Sequence, residues 1–373
     1  MKEPINMITS FRQSAKKTII HLGPSGELLG GIRTVMEGLC SSALADKYDM
    51  RIVPTASQSG RISTFLRGYR RCAKLCAEGE ADLLHIHMSE NASCLRAAQV
   101  LRMAERNGVP TVLHSHGGNF QTYMDNVFPV LKRRLIRAFA LAQSVVALTP
   151  GWRDYWQVLL PATRINVIPN FVRLPARVPA FRVGKHLDVL YLGVLGECKG
   201  TYDLIEAVRF LSEKGFVDGL HVHLAGNGEV DCCKRLVEKY QLRHLFTFHG
   251  WVEGMQKESL LNNCSVLVLP SHFESFGIVL LEAMAHGRPV ICSDGGSMIE
   301  TVDDGVDGIV FPRTNVGALA RVLQDCLNGR YDLATMGYRG RKKVASIYSE
   351  ERVLSQWSDL YKRILSDKDD FDA

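Results

Sequence analysis

Val266-Leu267-Val268-Leu269-Pro270-Ser271-His272-Phe273-Glu274-Ser275-Phe276-Gly277-Ile278-Val279-Leu280-Leu281-Glu282-Ala283 passes from a short apolar segment through a polar loop into an apolar helical stretch. The spacing predicts a strand over 266–269, closed by Pro270, and a helix over 277–286 that carries Glu282. A strand without polar alternation is what a parallel sheet covered on both faces requires. Glu274 falls in the intervening loop. A helix that begins just past a strand end turns its free amides and the positive end of its dipole toward that loop, so Ser275, Phe276 and Gly277 form a candidate phosphate seat. That feature is generic to wound α/β folds. Glu282 lies between Leu281 and Ala283, where a carboxylate is costly to bury without a partner. It is either a ligand-holding acid or a solvent-facing helix residue, and the local pattern leaves both open.

The same alternation extends in both directions. Apolar, β-branched runs predict strands at 18–22, 51–54, 83–87, 111–114, 145–148 and 166–168, then at 188–192, 221–224, 247–249, 266–269, 289–292 and 308–311. Amphipathic helical stretches separate them, which defines an α/β protein of wound parallel sheets. Between the two sets of six lies Arg173-Leu174-Pro175-Ala176-Arg177-Val178-Pro179-Ala180-Phe181-Arg182, whose prolines and lack of periodicity mark a linker. The length of 373 residues agrees, since single cores stop growing at roughly 250–300. Val353, Trp357, Leu360, Tyr361 and Ile364 recur at helical steps over 349–365, and the acidic tail beyond Asp367 is expected to fray. Two similar units with a hinge make the cleft between them the default ligand site.

Hydrophobic residues make up 46% and charged residues 23%, which excludes disordered and collagen-like classes. No run of about 18 apolar residues is present, so no membrane-spanning helix is expected. Met1-Lys2-Glu3-Pro4 lacks a secretory pattern, and a cytoplasmic protein is expected. The 10 cysteines, from Cys40 to Cys326, show no C-x2-C metal spacing; with Cys264 and Cys292 in apolar runs, they read as buried reduced thiols. The net charge of +6 divides unevenly: residues 1–172 carry 21 Lys and Arg against 12 Asp and Glu, a net +9, and the remainder carries 24 against 27, a net −3. Two units with different partners are implied.

The Glu274-to-Glu282 spacing, E-x7-E, resembles the signature of glycosyltransferase family 4, the "group 1" retaining glycosyltransferases of GT-B fold. Gly193-Val194-Leu195-Gly196-Glu197-Cys198-Lys199-Gly200 is similar to the family's G-R-L-x3-K-G segment. Ala225-Gly226-Asn227-Gly228 resembles its G-x-G loop, and Phe248-His249-Gly250-Trp251-Val252 its F-x-G-x-V segment. Gly30-Gly31-Ile32, Leu113-His114-Ser115-His116-Gly117 and Val167-Ile168-Pro169-Asn170 are similar to first-domain landmarks in the family order.

The resemblance implies two Rossmann-like domains: an acceptor domain over 1–172 completed by a crossover helix at 350–373, a linker over 173–186, and a nucleotide-sugar donor domain over 187–349. It implies retaining transfer of a sugar from a nucleoside diphosphate to a glycan or polyisoprenoid-linked acceptor, in cell-surface polysaccharide synthesis, with no metal and no cofactor. Glu282 would hold the ribose hydroxyls and Glu274 those of the donor sugar. Lys199 would oppose the charge gathering on the departing diphosphate. The amides of Ser275, Phe276 and Gly277 would add donors, and Gly30 and Gly31 would approach the phosphates closely. His116 would face the reacting sugar, Gly250 and Val252 would flank the base, and Gly196 and Gly228 would belong to the donor site. The family's arginine is Val194 here, removing a charge-assisted contact of about 1.5–3 kcal/mol. Arg33 is one candidate replacement. That loss keeps open a non-catalytic nucleotide-sugar-binding subunit, beside an epimerase on the same scaffold.

His85/His87, His114/His116 and His221/His223 place pairs of imidazoles on one strand face, where they could chelate a metal or simply meet a cleft at strand ends. No carboxylate accompanies them at ligand spacing, and the expected metal set is none. The D-x-D at Asp367-Lys368-Asp369 lies in the polar tail and reads as solvated. Gly23-Pro24-Ser25-Gly26 lacks the G-x-G-x-x-G spacing of a dinucleotide loop. Arg61, Arg67, Arg70, Arg71 and Lys74 form one basic cluster, and Lys132, Arg133, Arg134 and Arg137 another among apolar residues. Such helices either lie on an anionic membrane, at the inner face of the cell membrane here, or are solvated faces. No nucleic-acid motif accompanies them.

Overall fold

The computed structural model describes residues 16–24, 30–57, 60–181 and 186–369. Six strands form the first sheet: β1 (Thr18–Pro24), β2 (Asp49–Ala56), β3 (Leu83–Met88), β4 (Thr111–Ser115), β5 (Ser144–Ala147) and β6 (Ile165–Val167). Six more form the second: β7 (Leu187–Leu192), β8 (Leu220–Ala225), β9 (Phe246–Gly250), β10 (Val266–Leu269), β11 (Val290–Ser293) and β12 (Gly308–Phe311). All pairings are parallel, in the orders β2-β1-β3-β4-β5-β6 and β12-β11-β10-β7-β8-β9.

Both sheets are covered on both faces, as the unbroken apolar strands require. In the first sheet Ile20, Leu84, Leu113 and Val145 pack on one side, and Ile19, Leu83, Val112 and Val146 on the other. The period of two thereby feeds two separate cores. The second side is closed by the helix Gly31–Cys40 and by the last helix, Glu350–Asp369, which contributes Val353, Trp357, Leu360 and Tyr361. Burying such side chains stabilises by about 1.5–3 kcal/mol each. The final helix therefore crosses back and belongs to the first domain's core, running past the predicted end at 365 to Asp369. The tail residues 370–373, like Ser25 and Gly26, lie outside the described residues, as do the side chains of Asp367, Lys368 and Asp369.

The chain passes between domains twice, at neighbouring places. Val172 bridges to Ser349 and donates its N–H to the Tyr348 carbonyl at 3.1 Å, while Arg341 reaches the Pro175 carbonyl at 2.8 Å. Each sheet reverses its winding once, between β1 and β3 and between β7 and β10. Loops leaving those strands diverge and open a crevice, so both crevices lie in the cleft. None of the ten cysteines forms a disulfide, but the expected burial fails at Cys198 and Cys232, which are exposed, and Cys40 is half-buried.

Candidate functional site

A cavity of about 190 Å³ opens between the domains. From the first domain it is lined by Gly30, Gly31 and Thr34, at the start of the helix that follows β1; from the second by Gly193, Val194 and Lys199 beyond β7, Trp251 and Val252 beyond β9, and Glu274, Gly277 and Glu282 beyond β10. Among the described residues, nothing lies within 4 Å of where a Cβ would stand on Gly30 or Gly31.

Local structure fixes the second-domain groups. The 3-10 turn Glu197–Lys199 is stapled to the signature loop by the His272 N–H on the Cys198 carbonyl, 3.0 Å. Lys199 Nζ then meets Glu274 Oε2 at 2.6 Å. The Glu274 carbonyl accepts from the Ser297 N–H at 3.0 Å. Gly277, at φ 76°, precedes the helix Ile278–Ala285 and lets the chain turn into it. Across the cleft, a Cβ on Gly118 would stand 2.8 Å from Ser275 N and 3.0 Å from Glu274 C, so the two loops touch where Gly118 leaves room. Glu300 of the second domain accepts from Thr149 Oγ1 at 2.7 Å and from the Gly151 N–H at 2.8 Å of the first.

Of the residues singled out from sequence, Gly30, Gly31, Lys199, Val252, Glu274, Gly277 and Glu282 converge on the cavity wall. Gly196 and Gly228 instead shape the β7 and β8 exits, where Leu195 and Gly228 bridge. Gly250 ends β9 with its carbonyl on the Gly226 N–H at 2.7 Å. Phe276 is buried beneath the loop, packing edge-on against Tyr348. Arg33 does not line the cavity and pairs with Glu37 at 2.7 Å. Glu282 is not the solvent-facing helix residue its sequence also allowed: its side chain is 17% exposed, and Oε1 pairs with Lys257 Nζ at 2.7 Å. Lys257, from the helix Gly254–Asn263, also lines the cavity and is absent from the sequence reading. Its partner lies 25 residues away, so no local spacing announces it.

His116 is not among the residues that line this cavity and belongs to a stack of five imidazoles. His21, on β1, joins His87 at 3.0 Å, and His87 joins His116 at 3.0 Å. His85 joins His114 at 3.1 Å and Tyr361 of the crossover helix at 2.7 Å. Parallel register sets His21 beside His85 and His87 beside His114 within the sheet, while His116 follows the end of β4. Burial pushes His21 and His116 down to about 3, and burial with neighbouring imidazoles pushes His85, His87 and His114 well below their ordinary value. All five are uncharged near neutrality.

Two trios bring ring nitrogens within 4.8 Å: His21 with His85 and His87, and His87 with His114 and His116. In the first, the His85 and His87 rings are stacked 12° from parallel with centroids 4.2 Å apart. Their in-plane lone pairs cannot converge on one ion. The second trio holds a similar pair, His87 and His116, with rings 18° from parallel, and neither trio has a carboxylate among its members. The third pair differs: His223 bonds His249 at 3.0 Å and His221 bonds Thr247 at 2.8 Å, half-buried on the second sheet.

Two wound sheets facing a cleft, with a glycine helix start at the winding reversal of the first and charged groups at that of the second, define the GT-B architecture. Two family profiles match in tandem, Glycosyltransferase Family 4 over residues 31–175 and Glycosyl transferases group 1 over 177–343. The chain belongs to this family of glycosyltransferases. It is 26% identical to alpha-D-kanosaminyltransferase of Streptomyces kanamyceticus, over 75% of this chain and 77% of that one. It is 27% identical to the capsular polysaccharide biosynthesis glycosyltransferase CapM of Staphylococcus aureus, over 48% and 47%. Its fold matches that of Anabaena HepE in complex with UDP-glucose with a TM-score of 0.73 at 17% identity, covering 93% of this chain and 99% of that one.

Proposed function

We propose that the protein is a retaining glycosyltransferase that moves a sugar from a nucleoside-diphosphate donor to a glycan or lipid-linked glycan acceptor in surface-polysaccharide assembly. The observation that carries this reading is the cavity itself: Lys199, Glu274 and Glu282 meet a glycine edge at both winding reversals. Kinship with CapM supports the pathway. Diphosphate sits against Lys199 and the start of the helix Ile278–Ala285, where fixed positive charge favours the charge that builds as the glycosidic bond breaks. Glu274 accepts from sugar hydroxyls and Glu282 from ribose hydroxyls. With the leaving diphosphate and incoming hydroxyl on one face of the sugar, the anomeric configuration is kept. Charge neutralisation by lysine and amides needs no metal.

The acceptor side carries a basic, partly apolar surface. On the helix Arg61–Ala77, Ile62 is 77% exposed among Arg67, Arg70, Arg71 and Lys74; before and on the helix Pro129–Phe139, Phe128 is 83% exposed beside Lys132, Arg133, Arg134 and Arg137. Such a face suits an anionic bilayer that presents a lipid-linked acceptor. No described helix is long and apolar enough to cross a membrane.

Nucleotide release across a panel of nucleotide sugars and lipid-linked acceptors tests the reaction, and product anomeric couplings by NMR test retention. Glu282→Ala is expected to abolish donor binding. Unchanged transfer by that variant, or no release with any donor, would overturn the assignment. Co-sedimentation with phosphatidylglycerol vesicles at low salt, lost in neutral vesicles, checks the surface.

A further inference from the structure

The Lys257–Glu282 pair stands between two cavities. On one side is the 190 Å³ cavity with Lys199 and Glu274. On the other is a cavity of about 290 Å³ at the hinge, lined by Val35, Phe171, Leu261 and His286. Thr34, Lys257, Ile278 and Glu282 line both. The pair's two carboxylate oxygens are unlike: Oε1 is held by Lys257 Nζ at 2.7 Å, whereas Oε2 is enclosed with no hydrogen-bond partner among the described residues. A buried anionic oxygen left unpaired is a group prepared for a donor it does not yet have. The ammonium determines which oxygen that is, because it anchors the other.

Charge points the same way. Among the described lining residues of the first cavity, Lys199 and Lys257 balance Glu274 and Glu282. Val194, also in that lining, brings no charge. Were Lys257 absent, the cavity would be net negative before an anionic donor entered it, and like charges at such range repel strongly where water is scarce.

Resting on the donor reading above, we propose that Lys257 is a positioning residue of the donor site: it orients Glu282 so that one oxygen is presented to the ribose, and cancels that carboxylate's charge toward the diphosphate. It acts through Glu282, and its contribution disappears when Glu282 loses its charge.

The test is calorimetric titration of the full chain with UDP, GDP, ADP, CDP and dTDP, then of variants with the tightest of these. Lys257→Met is expected to raise Kd at least tenfold, and by a larger factor at low than at high salt. Lys257→Arg should stay within threefold of the wild type. In a Glu282→Gln background, adding Lys257→Met should change Kd by less than threefold. An unchanged Kd for Lys257→Met, or the same fold-loss in both backgrounds, overturns the proposal. If Lys257→Met does not fold, Lys257→Gln carries the same test. Binding of none of the five nucleotides by the wild type removes the donor reading and this proposal together. Binding by the wild type with no effect at Lys257 removes only the latter.

Discussion

The two walls of the cleft solve the same problem with opposite chemistry. In the first domain, five histidines are between 0% and 8% exposed and bond to one another without charge. On the second-domain wall, two full ion pairs remain nearer water, at 35% and 18% for Lys199 and Glu274 and 29% and 17% for Lys257 and Glu282. The difference follows from desolvation. A neutral imidazole can go fully inside once its hydrogen bonds are met, but a charge loses several kcal/mol there even when paired. One wall can therefore hold a shape, and the other can answer an anionic ligand.

Acid should break the comparison most severely, by charging the neutral wall. The folded values lie at about 3 for His21 and His116 and well below 6.5 for the other three, against about 6.5 unfolded. Below pH 6.5 the unfolded chain binds more protons than the folded one. Stability present above that pH is thus lost as pH falls from 6.5 toward 3, by up to about 1.4 kcal/mol per pH unit per histidine. Melting curves from pH 7.5 to 5 should show a steep fall in Tm; a flat profile would contradict the buried neutral stack. The charged wall is next. Lys199→Ala should lower kcat by about 10²–10³ with little change in Tm, because partly exposed pairs add about 1 kcal/mol or less. A loss in single-turnover rate below threefold would remove Lys199 from the chemistry.

Two variants address how the walls meet. Gly118→Val drives side-chain atoms toward Ser275 N, only 2.8 Å from the Cβ position. It should cost about tenfold in kcat/KM, near 1.4 kcal/mol, with far-UV dichroism unchanged. Full activity would show that the loops need not touch. Glu300→Ala removes the acceptor of Thr149 Oγ1 and the Gly151 N–H. About 1 kcal/mol of domain contact should be lost, seen as a larger radius of gyration without donor; an unchanged scattering curve would mean other contacts set the closed form.

The sheets were legible because each strand is an apolar run buried on both faces, so a one-dimensional pattern carries the whole signal. Lys199, Glu274 and Glu282 were legible through their resemblance to family motifs, which are written in linear spacing. Lys257 was not, because what defines it is a partner on another helix. The histidines misled for the same reason: His87 looks like one half of His85-x-His87, yet its hydrogen bonds run to His21 on β1 and to His116 just past β4. Cys198 and Cys232 show that an apolar average over a chain says little about single thiols in site loops and on outer helix faces.

The crossover helix Glu350–Asp369 has a consequence for biosynthesis. Trp357 and Tyr361 complete a core whose other members, such as Ile19 and Leu39, leave the ribosome more than three hundred residues earlier. The domain made first is therefore finished last, and its sheet must wait, one face only partly covered, while the entire second domain is translated. A nascent chain stalled before residue 350 would hold a complete second domain beside a first domain that chaperones still need to shield.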